Sequence, residues 1–143
     1  MWNKMRVLLV SGVVLTSTVW AGETVPNGDV VDPFHGEWVM QATPDDLTAS
    51  EGNSAFSEAV LFHNGEFSAA AFAMFGFSPA GYTVAAKEDG SVVFTATLTS
   101  TDRGTLTWTG HESPGGLTGK LEWVRPEGVT YRYEVLGVRP DPG

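Results

Sequence analysis

Three histidines, seventeen acidic residues and sixteen aromatic rings are the side chains in this sequence whose types offer chemistry. Imidazole is a frequent metal ligand, yet none of His35, His63 and His111 has a partner at zinc-motif spacing, so no metal is expected. Asp45-Asp46 lacks the alternating carboxylates and glycine of a calcium loop and reads as a solvated loop face. Ser, His and Asp are present without a nucleophile elbow around any of them. Gly115-Gly116 lies between strand-like runs rather than ahead of a helix, which argues against a phosphate cradle. Neither enzymatic activity nor a cofactor is expected. What remains is an aromatic set: Phe56, Phe75, Phe77, Trp108, Trp123, Tyr131 and Tyr133. Gathered around one concavity they would make an apolar site with a few polar tips, the usual character of a small-ligand pocket.

The elements that must gather them are strands. Val92, Phe94, Ala96 and Leu98 alternate with Val93, Thr95, Thr97 and Thr99; Leu106 and Trp108 alternate with Thr105, Thr107 and Thr109. Leu117, Leu121 and Trp123 then alternate with Thr118, Lys120 and Glu122, and Val129, Tyr131, Tyr133 and Val135 with Thr130, Arg132 and Glu134. A two-residue period marks strands that are dry on one side and wet on the other. Thr-Asp-Arg-Gly, Ser-Pro-Gly-Gly and Arg-Pro-Glu-Gly separate the runs with turn chemistry, giving a four-strand antiparallel meander from Ser91 to Val138. Upstream, Asn64-Gly65 suits a two-residue type I′ turn, which pairs His63 with Glu66 and Phe62 with Phe67. The inner face of that hairpin then reads Val60, Phe62, Phe67, Ala69 and Ala71. His35 to Gln41 and Tyr82 to Ala86 supply two more strands, and Asp45 to Ser50 at most one helical turn. About eight strands with short connections predict an all-β, antiparallel up-and-down barrel, with an open two-sheet sandwich as the alternative.

Lys4 and Arg6, the apolar run from Val7 to Val14 and the small residues of Val19-Trp20-Ala21 have the pattern of a secretory signal peptide at residues 1–21. The apolar run is well short of the roughly 20 residues that span a bilayer, so no membrane insertion is expected after cleavage. Cleavage would leave 122 residues with six basic against 17 acidic side chains, which argues against nucleic-acid partners. The chain has no Cys, so an exported domain must be held by its core alone. Residues 22–33 read as a flexible lead-in, 34–139 as the barrel domain and 140–143 as a tail.

Gly36-Glu37-Trp38 at the first strand, ahead of a meander, resembles the Gly-x-Trp signature of the lipocalins and the wider calycin superfamily. The resemblance implies that Trp38 plugs the closed end of the barrel with a basic side chain packed over it; Arg139 stands where that partner would be, with Arg132 as a weaker candidate. In size the chain is similar to the avidin-like branch, and Trp108-Thr109-Gly110 and Trp123 resemble its wall tryptophans, whereas the polar biotin ligands have no counterpart. Barrels of that branch often assemble through their outer faces, so a homo-oligomer is one expectation.

In a meander successive turns alternate between the two ends. The loops 43–56, 74–81, 100–104 and 125–128 therefore share the end opposite Trp38, where Phe56, Phe75 and Phe77 would line or lid a mouth. Two readings follow. In one the chain is an exported (periplasmic or extracellular) barrel that binds an apolar or aromatic small molecule. In the other the interior is filled, Ala69, Ala71, Ala96, Gly110 and Gly119 merely making room for larger rings, and the barrel engages a protein as an inhibitor or envelope-assembly component.

Overall fold

A computed structural model describes residues 32–140. The stretch expected to be a signal peptide, the expected lead-in before Asp32 and the last three residues lie outside them. Eight antiparallel strands close into a barrel in chain order: β1 (Gly36–Pro44), β2 (Phe56–His63), β3 (Glu66–Ala69), β4 (Ala80–Ala86), β5 (Val92–Ser100), β6 (Gly104–Ser113), β7 (Gly116–Val124) and β8 (Thr130–Val138). Two helical turns, α1 (Asp46–Ser50) and α2 (Ala70–Ala73), interrupt the meander. The barrel rather than the sandwich forms because β1 pairs with both β2 and β8, from Val39 opposite Val138 to Pro44 opposite Tyr133. Closure gives every strand two neighbours, so no strand is left as a free edge along its whole length.

The Asn64-Gly65 turn has positive φ at both residues, +51° and +79°, and sets His63 opposite Glu66 and Phe62 opposite Phe67. Outside, Thr95, Thr97 and Thr99 face Thr109, Thr107 and Thr105 across β5 and β6. Inside, the core is stacked in aromatic layers. Phe34, Phe62 and Phe94 meet near the closed end at ring separations of 4.9–5.8 Å, and Phe67 and Trp108 lie above them, 5.6 Å apart. Gly110 is small for this reason: a Cβ there would stand 2.8 Å from the Phe94 ring.

Ala71, expected on the inner face of the hairpin, is exposed instead. β3 stops at Ala69, and the chain leaves the barrel wall as α2, which turns Phe72 inward. β3 and β4 consequently share only two register pairs, Glu66–Gly81 and Phe67–Ala80, against nine between β6 and β7. The wall is complete toward the closed end and parts toward the mouth. That parting is where the aromatic segment sits.

Candidate functional site

The closed end is built on Trp38. Its indole N–H donates to the Phe34 carbonyl at 2.8 Å, and the Arg139 guanidinium lies 4.0 Å from its ring centre. Arg139 also donates to the carbonyls of His35, Glu37 and Pro33 at 2.9–3.2 Å, so one side chain gathers the chain end and the first strand. Gly36 admits it: with φ of +110°, a Cβ would meet the guanidinium at 2.9 Å. Arg132, the other basic candidate, is elsewhere, paired with Glu122 at 3.1 Å on the outer wall. Tyr82 donates its hydroxyl to Asp32, whose other oxygen accepts from the Phe34 amide. Burial, and then the hydrogen bond to Asp32 and its charge, push the Tyr82 hydroxyl well above the ordinary tyrosine range. His35 and His63 lie near each other here, with ring centres 5.7 Å apart. His111 stands on the outer face of β6, and no three metal-ligating side chains cluster among the described residues.

At the mouth, Phe56 packs edge-on against Phe72 and Tyr133, at 5.7 and 5.2 Å. Phe77 is buried between Phe72 and Trp123, at 5.7 and 6.0 Å. Tyr131 is half-buried against the other side of Trp123. Phe75 touches Phe72 only from the rim, at 6.5 Å; it is 45% exposed, with the Arg103 guanidinium 4.9 Å from its ring. Arg125 covers Trp123 from outside at 4.8 Å. Burial raises the pKa of Tyr133, and the neighbouring Tyr131 adds to the effect. Trp108 lies one layer deeper, its ring 6.3 Å from Phe72. The structure thus brings Phe56, Phe77, Trp108, Trp123, Tyr131 and Tyr133 into one connected aromatic cluster and leaves Phe75 on its rim.

Two central members were not singled out from the sequence. Phe72 is the ring that the others surround, and Glu58 holds it there. Glu58 is a buried carboxylate on the inward parity of β2, between Phe56 and Val60. It pairs with Met40 of β1 on one side and on the other lies beyond the last β2–β3 pair, Val60–Ala69, where β3 has left the wall. Its oxygens accept from the amides of Ala71 and Phe72 at 2.9–3.1 Å. A buried carboxylate needs such donors, so the inward parity of position 58 was the available signal. The far end of the segment is tied by Ser100, whose hydroxyl donates to the Phe75 carbonyl at 3.2 Å.

Among buried polar atoms of this cluster, the indole nitrogen of Trp108 has no hydrogen-bond partner although the residue is only 1% exposed. On the outer wall, an open concavity of about 420 Å³ lies between the Lys87–Ser91 turn and β6–β8, lined by Thr109, His111, Lys120 and Glu134 among others. It is open to water and carries charged side chains at its edge, unlike the cluster at the mouth. No family model, no curated protein and no solved structure matches the chain, so the site is read from its own geometry.

Proposed function

We propose that the chain is an exported barrel that carries an apolar or aromatic small molecule at its mouth, in the manner the calycin resemblance implies. One observation carries this reading. The rings that stopper the mouth, Phe72 and Phe77, belong to a segment outside the barrel wall, while the rings they touch belong to the wall itself. A side chain fixed on a central strand cannot leave without breaking the sheet, but a stopper on a short connecting segment can be exchanged for a guest of similar chemistry. Trp123, Trp108, Phe56 and Tyr133 would then contact the guest, with Tyr131 and Phe75 at the rim.

Native mass spectrometry of the mature chain, purified from an exporting host and then exposed to a panel of lipophilic aromatic probes, tests the reading. A retained adduct that is lost on denaturation is expected, accompanied by quenching of tryptophan fluorescence. No adduct with any probe would overturn it.

A second reading rests on the rim. Leu47, Met74 and Phe75 are 77%, 86% and 45% exposed and lie on loops of the same end. Such side chains suit contact with a protein partner. In that case the barrel is a solid scaffold, and removing Met74 and Phe75 together would abolish capture of the partner without changing stability.

A further inference from the structure

We propose that residues 70–77 form a lid over a side portal, latched by Glu58, and that the guest it admits is a neutral one- or two-ring molecule bearing a hydrogen-bond acceptor for the indole N–H of Trp108. This deepens the small-molecule reading and rests on it. The portal is the parting between β3 and β4, where only two register pairs remain and α2 replaces sheet. Apart from the packing of Phe72 and Phe77, the lid is held by few polar attachments: Glu58 on the amides of Ala71 and Phe72, and Ser100 on the carbonyl of Phe75. Swinging it out removes Phe72 and Phe77 from the mouth and leaves room for one or two fused rings.

Two polar groups border the vacated space, and we take them to set what fills it. The Trp108 indole N–H, buried and without a partner beside Phe72, is a donor waiting for an acceptor. Buried donors are nearly always satisfied, and an exception calls for a bound water or ligand. Glu58, once released from the lid, presents a carboxylate beneath the protein surface. A guest carrying its own negative charge would be repelled there and would bear its desolvation cost as well. A carbonyl compound without charge meets both conditions.

Three naphthalene probes separate the terms: 2-acetylnaphthalene has the acceptor, 2-ethylnaphthalene lacks it, and 2-naphthoate adds charge. Titration of the mature protein, followed by tryptophan quenching, should show the ketone binding roughly three- to tenfold more tightly than the hydrocarbon. The naphthoate should bind most weakly. Replacing Trp108 by benzothienylalanine, which keeps the ring shape and deletes the N–H, should bring ketone and hydrocarbon within about twofold of each other. E58Q keeps an acceptor for the lid but loses the charge, so naphthoate should gain on the ketone and guests should associate faster. Equal affinity of ketone and hydrocarbon for the unmodified protein, or a preference that survives the Trp108 replacement, would overturn the acceptor assignment while leaving the small-molecule reading intact. An unchanged naphthoate penalty and association rate in E58Q would overturn the latch. Failure of all three probes to bind would overturn the small-molecule reading itself, and this inference with it.

Discussion

The two phenylalanines that the sequence places side by side in one loop, Phe75 and Phe77, separate in the fold into a rim residue and a core residue. Truncating them should therefore give unlike results. F77A empties a fully packed position and should cost about 3–5 kcal/mol of stability, whereas F75A should cost under about 1 kcal/mol; urea unfolding of both variants checks the difference. At the other end, Arg139 combines ring stacking on Trp38 with three carbonyl contacts, a set that lysine's single ammonium cannot reproduce. R139K should lose about 1 kcal/mol, and R139M about 1–2 kcal/mol, by the same measurement. The tyrosines give a pH signature. Tyr82 and Tyr133 hold their protons more tightly in the fold than in the unfolded chain. The resulting stability is fully present below the unfolded value of about 10 and is lost as pH rises beyond it. The unfolding midpoint should fall above pH 10, and Y82F should flatten that fall.

At the scale of the element, α1 and the lid are both short helical turns, yet they are held differently and are not equally readable. α1 carries its own cap: Asp45 accepts from the Thr48 amide at 2.8 Å, and that bond holds the Asp45 carboxyl below the usual carboxylate range. Its contribution is present above the unfolded carboxylate value and is lost as pH falls through the folded one. D45N should therefore weaken the dependence of stability on pH at the acid limb and leave the alkaline limb as it is. Such a local Asp cap is visible in sequence, as the expectation of a turn at Asp45–Ser50 shows. The lid has no local cap. Ser68-Ala69-Ala70-Ala71-Phe72-Ala73 puts small side chains on both parities, so a two-residue pattern can be continued through it as strand. What ends the strand is Glu58, fourteen residues before Phe72, reaching across from β2. Long-range capping of this kind leaves no periodic trace. E58L, which deletes the acceptor, should cost about 2–4 kcal/mol by leaving two amides unpaired, and should raise hydrogen exchange across residues 70–77 before the rest of the barrel.

For the whole molecule, the architecture was legible because each strand is wet on one side and dry on the other. Alternation fixed which residues face inward, and the Asn64-Gly65 turn fixed one register, from which the up-and-down order followed. The pairing of Trp38 with Arg139 was expected from the resemblance, not from periodicity; in the fold the two stand in contact. The mouth was legible in part, since loop alternation placed Phe56 and Phe77 at one end. Phe72 stayed hidden because the alternation breaks where it acts, and Glu58 because its donors, the amides of Ala71 and Phe72, come from that broken segment. With no disulfide to help, the barrel is held together by its layered aromatic rings, and the central ring of the mouth layer, Phe72, does not come from the wall. The most direct measurement of that claim is ¹⁹F NMR of residues 22–143 carrying 4-fluorophenylalanine at position 72, recorded as 2-acetylnaphthalene is added. A resonance that moves from a buried to a solvent-like shift in proportion to saturation is the expected result. A guest that binds while the Phe72 resonance keeps its buried shift would contradict the account, since the stopper would then never have left the mouth.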